Sequence, residues 1–219
     1  MEAVTLMQWE MPVLINCFSL AVLFVILVNN RQEHLETKSQ RYLFFQYMVI
    51  SNIALLVLDG LTWIFANSAV PIHRLFNVLA SMLYYMLTPL PSFFFVGFVD
   101  VVLNIPSDKR RKLMWMYAIP VVINFVMTTL TPFTDWFFRI DAANIYHRGS
   151  LLLVSFLLSY ALLAVAFVKV LLSYRTLRKN RIGLAKNVKE FRWMLEYTII
   201  PVIGGLVQAF FYNVTYVWN

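Results

Sequence analysis

Asp59 is the residue whose placement most suggests chemistry: a carboxyl inside an apolar stretch, with the Trp63 indole one helical turn away. A charged aspartate near the middle of a membrane-crossing helix costs about 3 kcal/mol on insertion scales, so it needs a partner or a purpose. Two roles fit. Asp59 binds a ligand or a proton from the outer half of its helix, or it stays neutral and hydrogen-bonds a neighbouring Tyr or Asn. Asp100, Lys169 and Glu196 fall near helix ends, where charges reach the interface cheaply, and Lys169 suits a structural ion pair. His34, His73 and His147 lie near loops without helical ligand spacing, and the single Cys17 sits in an apolar run as a small hydrophobe. No internal disulfide, metal site, cofactor or catalytic residue is therefore expected.

Polar side chains recur at steps of three, four or seven along successive apolar stretches. The sets are Asn52, Asp59 and Trp63; Asn77, Ser81, Tyr85, Thr88 and Ser92; Tyr117, Asn124, Thr128 and Thr131; Ser155 and Ser159; and Glu196, Gly204, Gln208 and Tyr212. A lipid-facing helix surface needs no such groups, so the stripes mark interior faces. They either bond helix to helix, with Gly204 and Gly205 allowing close approach, or line a partly wet central cavity. A small molecule arriving from outside would meet Asp59, Trp63, Asn77, Tyr84, Tyr85, Asn124, Tyr146 and Arg148, which are the candidate ligand-binding residues. Pro89, Pro91, Pro120 and Pro201 lie within the same stretches. Each removes a backbone donor, giving either a hinge or a bend that widens the bundle.

The elements that must hold these residues follow from composition. Of 219 residues, 61% are hydrophobic and 13% charged, half the charged share usual for a water-soluble domain. A hydrocarbon core about 30 Å thick needs roughly 20 apolar residues per helix. Six stretches qualify, near 11–29, 43–66, 74–103, 113–132, 150–173 and 193–217. The first is a retained helix, since Glu2 and Glu10 precede it instead of the basic cluster of a signal peptide. The expected fold is thus an all-α integral membrane bundle of six helices, one polytopic domain over 1–219.

Basic residues orient it. Arg31, Lys38 and Arg41 fall in the first loop, Lys109 to Lys112 in the third, and Arg175, Arg178, Lys179, Arg181, Lys186, Lys189 and Arg192 in the fifth. The even-numbered loops hold only Arg74, Arg139 and Arg148, so the amino terminus is expected outside and the odd loops in the cytoplasm. The net charge of +7 is spread between apolar runs, which argues against a nucleic-acid partner. With six spans the carboxyl terminus also exits outside, so a seventh helix is expected to follow in a longer protein. In the fourth loop, 132–149, Trp136 to Ile140 and Ile145 to His147 flank Asp141-Ala-Ala-Asn144, the pattern of an extracellular β-hairpin over the outer mouth. It is a lid, or else an aromatic belt at the interface. In the fifth loop, Leu177, Ile182, Leu184, Val188 and Phe191 alternate with basic residues, which suits contact with anionic membrane lipids.

The segment Phe138-Arg-Ile-Asp141 followed by Asn144-Ile-Tyr-His-Arg-Gly149 resembles the outer loop of the seven-helix sensory region at the amino end of bacterial histidine kinases and GGDEF-type diguanylate cyclases. Leu58-Asp-Gly60 with Trp63, and Tyr84-Tyr85 through Pro89 to Asp100, extend the likeness along the chain. The resemblance implies a sensor of the bacterial inner membrane, detecting a small or lipid-like ligand and signalling to a cytoplasmic output domain, GGDEF or histidine kinase, through which it would dimerise. This sequence contains no GGDEF signature, phosphoacceptor segment or nucleotide-binding glycine loop, so no enzymatic activity is assigned to it. A small-molecule transporter is the alternative, but residues 1–110 and 111–219 share none of the matching broken helices that transporter repeats display. A structural or assembly role is the third.

Overall fold

The computed structural model describes residues 2–33 and 40–180, with side chains over 13–28 and 40–176. The chain divides into two compact units, 1–159 and 160–219. Its elements run α1 (Glu2–Glu33), α2 (Gln40–Phe65), α3 (Pro71–Leu87), α4 (Leu90–Val102), α5 (Ser107–Thr134), β1 (Phe138–Ile140), β2 (Tyr146–Arg148) and α6 (Leu152–Asn180). Residues 40–65, 71–102, 107–134 and 152–176 are each long and apolar enough to cross a membrane, and α1 carries a shorter apolar stretch, Val13–Val28. The first five expected spans therefore each coincide with helix. The sixth, 193–217, lies outside the described residues, as do His34, Glu196, Pro201, Gly204, Gly205, Gln208, Tyr212 and the arm from Ile182 to Phe191.

The surface is inverted relative to a protein that folds in water. Phe18, Trp115 and Phe133 are exposed, whereas Asn77, Asp100, Asn124, Thr128, Thr131 and Ser155 are fully buried. That is the arrangement a hydrocarbon solvent favours, because apolar side chains lose nothing by facing lipid and polar groups must be paired inside. The polar stripes expected on the third, fourth and fifth spans accordingly lie inward: Ser81, Tyr85, Ser92, Tyr117 and Ser159 are buried with those above. Three are satisfied by helix carbonyls one turn back: Thr128 by Asn124 O, Thr131 by Met127 O and Ser159 by Ser155 O. Asp100 departs from expectation. It does not reach toward the interface but is wholly buried, accepting a hydrogen bond from the Tyr117 hydroxyl at 3.2 Å.

The third span is interrupted. Thr88 and Pro89 separate α3 from α4, because Pro89 and Pro91 lack the N–H groups that would bond the carbonyls of Tyr85 and Leu87. α2 packs against α1, α3 and α4, and α3 packs against α5. Gly97 makes the α2–α4 contact possible, since a Cβ there would stand 2.5 Å from the Phe44 ring. At one end, Arg110 at the start of α5 donates to the Gln40 side chain at the start of α2. At the opposite end the hairpin meets the carboxyl end of α2 and the amino end of α3.

Candidate functional site

The hairpin is short but tightly specified. β1 and β2 pair antiparallel with Phe138 opposite Arg148, Arg139 opposite His147 and Ile140 opposite Tyr146. The Asp-Ala-Ala-Asn turn closes as its residue types require: Asp141 Oδ1 accepts from the Ile145 amide at 2.9 Å, and Asn144 takes a positive φ of 62°. His147 Nε2 lies 2.8 Å from Asp141 Oδ2. These contacts, the imidazole first and the Ile145 amide second, hold the Asp141 carboxyl below the usual carboxylate range. The base of the hairpin requires Gly149, because any Cβ there would collide with the backbone carbonyls of Asp135 and Trp136.

The hairpin packs lengthwise against α3, from Arg74, which donates to Ile140 O at 3.2 Å, to Tyr85, whose ring stacks on Phe138 at 5.6 Å. With a rise of 1.5 Å per residue, those eleven positions span about 16 Å of helix. Phe137, Phe138, Ile140 and Leu152 form a buried apolar cluster with Tyr85, and Tyr84 packs edge-on to the Tyr85 ring. The Tyr85 and Tyr146 hydroxyls are 2.6 Å apart. Asn77 donates to Asn144 Oδ1 at 2.9 Å, and Asn144 Nδ2 donates in turn to Phe65 O at 2.6 Å. The Asn67 amide donates to Asn144 O, so one residue ties the hairpin to α2, α3 and their connection.

Asn124 meets the break in the third span. Its Nδ2 donates to Tyr85 O at 2.6 Å, supplying the bond that Pro89 cannot. Its Oδ1, together with Ser155 Oγ, is buried without a hydrogen-bond partner among the described residues.

Of the residues singled out from sequence, Asn77, Tyr84, Tyr85, Asn124 and Tyr146 come together where the hairpin meets α3. Arg148 is exposed on β2. Asp59 and Trp63 stand elsewhere: Asp59 accepts hydrogen bonds from Asn16 of α1, at 2.7 Å, and from Trp63. Among the described residues, no hydrogen bond joins that pair to the hairpin. Sequence reasoning missed Asn144 as an anchor, although Asn is among the residues other than glycine that most readily take a left-handed backbone in a turn.

Beside the hairpin is a cleft of about 390 Å³, bounded by Arg74 and Val78 of α3, Asp135 at the end of α5, and Phe138, Arg139 and Asp141. Among the described residues, no group of three or more His, Cys, Asp or Glu is placed to hold a metal ion. Comparison with known proteins finds no matching family model, no matching curated protein and no matching solved structure.

Proposed function

We propose that this chain is the membrane-embedded receptor region of a bacterial signalling protein, coupled to a cytoplasmic output domain of the GGDEF diguanylate cyclase or histidine-kinase type. The observation that carries the reading is the 2.6 Å contact between the Tyr146 and Tyr85 hydroxyls. It fixes the hairpin to α3 three residues before the Thr88–Pro89 break. A ligand that alters the grip of the hairpin would therefore act at the joint between α3 and α4. α4 then carries the displacement toward the end of the bundle where Arg110 and Gln40 meet, the cytoplasmic end by the distribution of basic residues. A ligand need only bind two arrangements of this joint unequally to shift their populations.

The residues first considered for ligand contact act in this scheme as the coupling machinery, and the Asp59–Asn16 bond as a link between α1 and α2. The test is made in cells carrying the full coding sequence that contains this chain. Tyr146→Phe should change cyclic di-GMP level or kinase output while membrane insertion stays intact. The reading fails if output is indifferent to Tyr146→Phe and Asn144→Ala alike, or if the coding sequence downstream of Asn219 encodes no signalling domain. Substrate-dependent flux through proteoliposomes would establish the transporter alternative instead.

A further inference from the structure

We propose that the cleft between α3, α5 and β1 binds a small zwitterion, an anionic group and an ammonium joined by a few bonds, as in a free α-amino acid or an ethanolamine-type phospholipid headgroup. This deepens the receptor reading by naming the chemical class of its ligand. The cleft holds about 390 Å³, within the range of small-molecule sites, which begins near 300 Å³. Its lining carries charge of both signs. Arg74 and Arg139 contribute guanidinium groups and Asp135 a carboxylate, beside the apolar side chains of Val78 and Phe138.

Those charges are available. The Arg139 guanidinium and the Asp135 carboxylate make no side-chain hydrogen bond or ion pair with any described residue. Arg74 uses a single bond to Ile140 O, leaving most of its five N–H groups. Asp141, by contrast, is already engaged with His147 and the Ile145 amide, so Asp135 is the acceptor left for an ammonium.

The helix ends reinforce this polarity. Arg74 stands in the first turn of α3, where the backbone dipole presents its positive end, and Asp135 caps the carboxyl end of α5, where it presents the negative end. A simple anion would gain from the first and be repelled by the second. A zwitterion gains from both. The guanidinium groups would receive the carboxylate or phosphate by paired N–H donation, while Asp135 and the last carbonyls of α5 receive the ammonium.

The test uses the full chain in nanodiscs of phosphatidylglycerol, which carries no amine. Titration calorimetry is run with L-alanine and, separately, with sn-glycero-3-phosphoethanolamine; acetate and glycerol 3-phosphate serve as the corresponding anions without ammonium. Saturable binding of either zwitterion is expected, with Arg139→Gln weakening it about tenfold, as loss of one charge pair should. Asp135→Asn, which tolerates the same left-handed backbone, should remove the preference for the zwitterion over its anion analogue. Binding of alanine alone assigns the source to a free solute, and of the glycerophospho compound alone to a lipid headgroup. Both side chains are exposed, so an unchanged melting profile checks that the variants fold. No saturable binding of either probe, or binding indifferent to both substitutions, overturns the proposal and leaves these charges as a solvated rim. Zwitterion binding without any change in cellular output would sustain the cleft and sink the receptor reading; output that responds to Tyr146→Phe without zwitterion binding would do the reverse.

Discussion

The paired hydroxyls of Tyr85 and Tyr146 make an asymmetric prediction. Tyr85 is 7% exposed, and its hydroxyl has Tyr146 as its hydrogen-bond partner among the described residues, at 2.6 Å. Tyr146 is only half-buried and has further interactions in the structure. Tyr146→Phe removes a bond worth about 1 kcal/mol net and strands a buried hydroxyl, whose lost solvation adds about 1–2 kcal/mol, for a total of about 2–3 kcal/mol. Tyr85→Phe removes the same bond but leaves a hydroxyl that water and its other neighbours can satisfy, so about 1 kcal/mol is expected. The double variant leaves nothing stranded and should cost less than the two single changes added together, with a coupling of about 1 kcal/mol or more. Reversible unfolding of the full chain in mixed micelles, across wild type and all three variants, measures each quantity. Equal costs for the two single changes, or strict additivity, would show that the hydroxyl pair does not hold the hairpin to α3.

Three further outcomes follow from the same geometry. Asn144→Ala should destabilise by about 2–5 kcal/mol in the same unfolding assay, because it strands the Asn77 amide and Phe65 O and puts a Cβ residue without a compensating amide at a φ of 62°. Asn124→Ala should cost about 1–3 kcal/mol by leaving Tyr85 O without its donor, and Pro89→Ala should rescue most of that loss by restoring a backbone N–H four residues on; absence of rescue refutes the account of the break. Because the folded-state carboxyl of Asp141 is held low by His147 and the Ile145 amide, its ionised form favours the closed hairpin above the ordinary carboxylate value of about 3.9, and this contribution is lost as pH falls through the lower folded value. Amide-exchange protection at Ile145 should decline in that acidic window in wild type but be flat in Asp141→Asn.

What could be read from the residues in advance was whatever is written in contiguous sequence. The steps of three and four from Asn77 to Ser92 and from Tyr117 to Thr131 identified buried faces without any knowledge of what they would touch, since helical period alone fixes which side chains share a side. The hairpin was legible for the same local reason: Asp141 and Asn144 carry turn chemistry, and strand-forming residues flank them. The helix break was half legible. Pro89 announces a missing donor, but the compensating amide comes from Asn124, 39 positions beyond the carbonyl it serves.

The hairpin's actual path was not legible, because it depends on pairings 61 and 67 residues apart, between Tyr85 and Tyr146 and between Asn77 and Asn144. Local pattern predicts that a hairpin forms and says nothing of what it lies against. Amphipathic alternation would suit a lid floating on the mouth as well as a wedge packed along α3. What separates the two is that Phe138 and Ile140 face inward to bury apolar area on Tyr85 and Leu152, while Asn144 finds acceptors on α2 at a depth where water is scarce. A floating lid would leave Asn144 and Tyr146 bonded to water and Tyr85 unpartnered inside the bundle. The packed wedge satisfies all three at once, and it does so at Tyr85, three residues before the break in the third span.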